Sequence, residues 1–145
     1  MNHLKEKKEA FAELLEVIET LRKQCPWDKK QTFESLRSLT IEEVYELGDA
    51  ILEKDLPEVK KELGDLMMHM VFYASLAEEQ GDFDMADVLR GICEKLRYRH
   101  PHIYGDVRVK DEKDVLQNWE QLKLKEKGRK HKVLEGVPVS LPALV

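Results

Sequence analysis

Cysteine is scarce in this chain: among 145 residues only Cys25 and Cys93 occur, far apart and outside any CxxC or Cys/His ligand pattern. A disulfide framework and a zinc site are both disfavoured by that spacing. Long hydrophobic runs are missing too. The longest mostly apolar stretch, Leu66 to Ala77, is interrupted by His69 and is well short of the roughly 20 residues that span a bilayer. The N-terminal "MNHLKEKKEAFAELLEVIETLRKQ" is charged throughout and has no continuous apolar core of a secretory signal, so a reducing cytoplasm is the expected compartment. An excess of positive charge is absent as well. The formal net charge of -5 argues against broad attachment to nucleic acid polymers or anionic membranes. No segment alternates convincingly as a strand; residues 103–109 are the nearest case and read as loop.

What is present is helical periodicity in a chain 42% hydrophobic and 37% charged, a composition suited to one soluble globular domain. Phe11, Leu14, Leu15, Ile18 and Leu21 share a helical face, and Pro26 closes that first helix near Gln24. "CPWDKKQT" reads as a loop ending in Thr32, a good N-cap with Ser35 in the first turn of a second helix that runs to about Glu53. "KDLP" then breaks the chain, and a third helix follows from about Glu58 to Gln80. After the turn "GDFD", Asp84 caps a fourth helix carrying Val88, Leu89, Ile92 and Leu96, which ends before Pro101. "HPHIYGD" reads as irregular, a polar fifth helix starts at Asp111 or Asp114 and reaches about Lys127, and the proline-bearing tail "VLEGVPVSLPALV" is no long helix. The fold class expected is all-α.

The chemistry lies in the carboxylates. On a 3.6-residue wheel, the apolar arc of Leu36, Leu39, Val44, Leu47 and Ile51 contains Glu43, with Glu46 at its margin and Glu42 just beyond. On the third helix, Glu62, Asp65 and His69 form a polar column at i, i+3 and i+7, flanked by apolar residues on both sides. A run of acids is usually a solvated face. Acids set among apolar residues are different, because burying several ionised carboxylates without compensation costs several kcal/mol each. Basic residues do not interleave with these acids before Lys54, Lys60 and Lys61, so a divalent cation is the simpler counter-charge. An all-oxygen ligand set selects Mg2+, or Mn2+ in its place. The short connection makes the two helices antiparallel neighbours, and Gly48 and Gly64 suit a close backbone approach. His69 is better read as a core hydrogen-bonding residue than as a ligand, while Asp49 is open to either metal or solvent.

EExxE at Glu42 to Glu46, followed across a short hairpin by ExxD at Glu62 to Asp65, resembles the all-α nucleoside triphosphate pyrophosphohydrolases. "CPWDKKQTFESL", "KLRYRHPHIYGD", "NWEQLKLKEK" and "LEGVPVSLPAL", in that order, narrow the resemblance to the MazG family. The resemblance implies a single domain over residues 1–145, with an N-terminal helix at 1–24, a catalytic helical core at 33–99, and a C-terminal helix and tail at 107–145 that leads into a second copy in longer members. It implies helical hairpins assembled as a homodimer or larger homo-oligomer, and cleavage of a nucleoside triphosphate to monophosphate and pyrophosphate with Mg2+, in a role of nucleotide-pool house-cleaning. By position, Glu43, Glu46, Glu62 and Asp65 would be metal ligands. Glu42 would support them or orient water, and Glu42 and Glu43 are the candidate catalytic bases. Lys95, Arg97, Arg99, Lys123 and Lys127 are available as donors to phosphate oxygens, with solvated side chains as the plain alternative. Lys95 and Arg99 share a face, as do Lys123 and Lys127. Trp27 would stack on a base or cap the core, the commoner role for a lone tryptophan. Where family members often carry adjacent arginines before "HPH", this chain has Arg97, Tyr98 and Arg99. The competing readings are a relative selective for dUTP, dCTP or phosphoribosyl-ATP, and a helical interaction or regulatory module with an inactive acidic surface.

Overall fold

The computed structural model describes residues 3–134, with side chains to residue 127; the tail expectation for residues 135–145 lies outside the described residues. Seven helices follow one another, and no strand occurs among the described residues. They are α1 (Leu4–Gln24), α2 (Pro26–Lys30), α3 (Phe33–Leu52), α4 (Leu56–Glu79), α5 (Met85–Arg99), α6 (Pro101–Tyr104) and α7 (Glu112–Leu134). Contacts divide the chain into two compact units, Met1–Val88 and Leu89–Val145. No helix among the described residues is long and apolar enough to cross a membrane.

In the first unit α3 and α4 form the hairpin, and α1 packs on α4. Ile18, Leu36, Val71, Phe72 and Leu76 make the buried core, and Phe11, Leu14, Leu15, Phe33, Tyr73 and Met85 pack against it. The start of α3 is fixed by a reciprocal capping box: Ser35 N–H donates to Thr32 Oγ1 at 3.1 Å, and Thr32 N–H donates to Ser35 Oγ at 2.8 Å. At α4 the Asp55 side chain accepts from Glu58 N–H at 3.2 Å, and proline is tolerated in the first turn because its missing N–H would have no helical partner there. Asp84 and Asp87 cap α5 reciprocally, each carboxylate accepting from the other's N–H. Lys54 closes the α3–α4 connection with φ 57°, and Gly81 ends α4 with φ 72°.

Three local expectations are corrected. "CPWDKKQT" is not all loop, because Pro26 starts the short helix α2. Arg22 holds that turn by donating to the carbonyls of Asp28 (2.6 Å), Lys29 (2.7 Å) and Gln31 (3.1 Å), while it pairs with Glu79 at 2.9 and 3.0 Å. Satisfied carbonyls and a proline at N1 outweigh the loop signal. Likewise "HPHIYGD" contains α6, again opened by proline. The close backbone approach expected at Gly48 and Gly64 is not made among the described residues, where an added Cβ at either meets nothing within 4 Å.

Burial is also less complete than the helical wheels suggest. On α3, Leu36 and Ala50 are buried, but Val44 and Ile51 are about half exposed. On α4, Val71, Phe72, Ala74, Leu76 and Ala77 are buried, while Leu63, Met67, Met68 and Met70 each remain 40% exposed or more.

The second unit contains most of α5 together with α6 and α7. Arg99 pairs there with Glu126, Nε to Oε2 at 3.2 Å, with both side chains 15% exposed. Lys123 Nζ lies 4.0 Å from the Trp119 ring centroid and the Arg99 guanidinium 5.9 Å, so two cations flank one indole.

Candidate metal centre

The hairpin brings acids from both helices together. Oxygens of Glu43 on α3 and of Glu62 and Asp65 on α4 lie within 4.8 Å of one another. The i, i+3 spacing of Glu62 and Asp65 sets both on one face of α4, and antiparallel packing delivers Glu43 opposite them. Glu62 is only 3% exposed, and Glu43 and Asp65 are half-buried. Among the described residues, no Lys or Arg pairs with any of the three.

This crowding has an electrostatic signature. The Glu62 carboxyl is pushed up to about 8, first by hydrogen bonding with Glu43, then by burial, by hydrogen bonding with Glu58, and by the charges of Glu43 and Glu46. Glu46 is raised as well, chiefly by the charge of Glu43. When all are ionised, Glu43 Oε2 and Glu62 Oε2 are buried acceptors without a donor. Either a proton shared between them or a cation satisfies those oxygens. Three carboxylates, two of them with orphaned oxygens, fit a hard divalent cation.

Glu46 is exposed and stands outside that trio, although it is close enough to interact with Glu43 and Glu62. Glu42 and Asp49 are exposed. Trp27 is 56% exposed, and so does not cap the core. Lys95, Arg97 and Lys127 are exposed on the second unit, where Arg99 is engaged by Glu126 and Lys123 rests on Trp119. His69 is buried and hydrogen-bonded, as expected, but its partner Thr40 was not foreseen. Thr40 Oγ1 lies 2.6 Å from His69 Nδ1 and also contacts the Tyr73 hydroxyl. Its signal was available, since Thr40 sits one turn before Glu43 and is polar on an apolar face.

The MazG nucleotide pyrophosphohydrolase domain matches residues 31–104, half of the chain, and takes in the whole acidic hairpin. The chain belongs to the MazG family. It is 44% identical over 137 residues to a nucleoside triphosphate pyrophosphohydrolase of Escherichia coli K12, covering 91% of this chain and 52% of that protein. It is 47% identical over 122 residues to the nucleoside triphosphate pyrophosphohydrolase/pyrophosphatase MazG of Thermotoga maritima, covering 83% and 46%. This MazG chain thus spans about half the length of those relatives. The crystal structure of a mazG-related protein from Thermotoga maritima is similar to it with a TM-score of 0.67 at 26% identity, covering 78% of this chain and 98% of that one. The all-α MazG fold expected from the sequence is therefore the fold observed.

A pH dependence follows from Glu62. Its folded value of about 8 lies above the ordinary 4.5, so the folded MazG domain holds a proton that the unfolded chain releases between those values. The associated stability is complete below about 4.5 and is lost as pH rises through about 8. Thermal melts with a chelator are expected to show that decline; if the trio takes a divalent cation, saturating Mg2+ flattens or reverses it, because a bound ion favours ionised ligands. A chelated protein whose melting temperature rises across that interval would contradict the assignment.

Proposed function

We propose that this chain hydrolyses nucleoside triphosphates to nucleoside monophosphate and pyrophosphate, using Mg2+ held by Glu43, Glu62 and Asp65 with Glu46 completing the ligand set. The observation that carries this reading is the trio of convergent carboxylates, without a basic partner and with two stranded oxygens. When bound, the cation offsets polyphosphate charge and acidifies coordinated water. The protein's own part is to position and to move a proton. Glu43 and Glu62 would present their oxygens to the ion from opposite helices. Glu42, exposed and next to Glu43 in the sequence, is the proposed acceptor of the proton of an attacking water, with Glu43 the other candidate. Lys95, Arg97, Arg99, Lys123 and Lys127 are the proposed donors to phosphate oxygens, and Trp27 offers an exposed face for a base.

The same reading assigns the exposed apolar surface of the hairpin to a second copy of the chain, a cytoplasmic setting, and a role in clearing unwanted nucleotides. The test of the reaction is to supply each nucleoside triphosphate with Mg2+ and identify the products. Monophosphate and pyrophosphate in equal amounts are expected; release of orthophosphate, or no turnover by a folded protein that binds Mg2+, overturns the assignment.

A further inference from the structure

We propose that Thr40 is a positioning residue for the acidic trio: its hydroxyl, shared with His69 and Tyr73, fixes the spacing of α3 and α4 beside Glu43, Glu62 and Asp65. The inference rests on the cation-binding reading of those acids. Thr40 lies three residues before Glu43 on α3, and His69 lies four residues after Asp65 on α4. The hydroxyl is therefore a cross-helix tie one helical turn from the cluster. It links the two helices by hydrogen bonds on that face.

Proton counting defines the tie. Thr40 Oγ1 has three neighbours: Leu36 O at 3.0 Å, His69 Nδ1 at 2.6 Å and the Tyr73 hydroxyl. A hydroxyl has one proton and accepts at its two lone pairs. Leu36 O can only accept, so satisfying all three contacts sends the Thr40 proton to that carbonyl and makes His69 Nδ1–H and Tyr73 O–H the donors. His69 is held in its Nδ1–H form. The arrangement is stiffened from outside by Phe33, whose ring stacks on Tyr73 with centroids 5.6 Å apart and planes at 8°. His69 is 6% exposed, so a lost partner there is not replaced freely by bulk water.

Valine has nearly the shape of threonine but no hydroxyl, and it strands both donors. Groups hydrogen-bonded directly to metal ligands typically affect affinity about 10–100-fold, and Thr40, one contact further out, belongs at the lower end of that range. In the full chain, Thr40→Val is expected to weaken Mn2+ binding measured by calorimetry by about 10-fold or more. Thr40→Ser, which keeps the hydroxyl, should stay within about threefold of the parent, and the His69 ¹⁵N spectrum should keep its Nδ1–H signature in Thr40→Ser and lose it in Thr40→Val. Ile18→Ala, a core cavity on α1 that leaves the tie intact, supplies the control for general destabilisation: it lowers the melting temperature and leaves Mn2+ affinity unchanged. Unchanged Mn2+ affinity or an unchanged His69 signature in Thr40→Val overturns the proposal, as does an equal loss of affinity in Ile18→Ala. Failure of the parent chain to bind Mn2+ at all overturns the metal-site reading along with it, which distinguishes the two.

Discussion

Glu62→Gln is expected to cut the proposed hydrolysis sharply and, at the same time, to raise the melting temperature of the cation-free protein above pH 8. The two effects have one origin. Glu62 is 3% exposed and faces Glu43, with Glu46 adding charge nearby, and its carboxyl is held up to about 8 because ionisation there is costly. Glutamine has the same shape, carries no charge at any pH, and has an amide N–H to offer Glu43, so the stranded Glu43 oxygen acquires a donor. Removing a buried like-charge contact stabilises the apo fold. On the proposed metal reading, the same change deletes a hard anionic ligand. Losing it should lower kcat/KM by at least about 100-fold, the loss reflecting both weaker cation binding and poorer stabilisation of charge on the triphosphate. Paired melts and product assays on one preparation measure both. A variant that hydrolyses triphosphate as the parent does would remove Glu62 from the site, whereas a variant that melts lower would show that the acid is structural. Asp65→Asn is expected to act in the same direction with a smaller gain in stability, because Asp65 is less buried.

How far the sequence alone leads is best seen on the hairpin. Thr32, Ser35 and Pro57 mark helix ends by local rules, since capping and proline effects act within one turn, and the structure places α3 and α4 within about two residues of expectation. The column of Glu62, Asp65 and His69 was equally legible, because helical periodicity alone defines it. What periodicity cannot supply is the identity of the opposing atoms. Thr40 shows in the sequence as a polar residue on an apolar face, but its role is set only when α4 is laid beside it and His69 and Tyr73 come within reach of its hydroxyl. Arg22 is similar: its charge looks like part of a solvated face, yet it ties α1 to Glu79 and to three carbonyls around α2, a nonlocal arrangement that also explains why "CPWDKK" forms a helical turn. Trp27 went the other way, since hydrophobicity suggests a core position and the short helix turns it outward.

Met67→Glu is expected to convert an assembled parent into monomers. Leu63, Met67 and Met70 stand at i, i+4 and i+7 on α4 and are 53%, 44% and 42% exposed. Ile41, Tyr45 and Leu52 follow a matching stripe on α3 and are 41%, 69% and 82% exposed. Helices whose own chain covers only one face leave apolar area that association can bury, at about 25 cal/mol per Å². Gly48 lies within the α3 stripe, and a Cβ added there meets nothing within 4 Å among the described residues, which leaves room for the backbone of a second copy. In a two-fold assembly each substitution enters the interface twice. Replacing a methionine by an ionised glutamate therefore loses two apolar contacts and buries two unpaired charges, a penalty of about 3 kcal/mol or more, equivalent to at least a 100-fold rise in dissociation constant. Light scattering across a dilution series measures the change. Met67→Leu supplies the comparison, because it keeps the apolar volume and should assemble as the parent does. An assembled Met67→Glu variant, or a parent that is monomeric at every concentration, would show that the stripe is not the contact between copies.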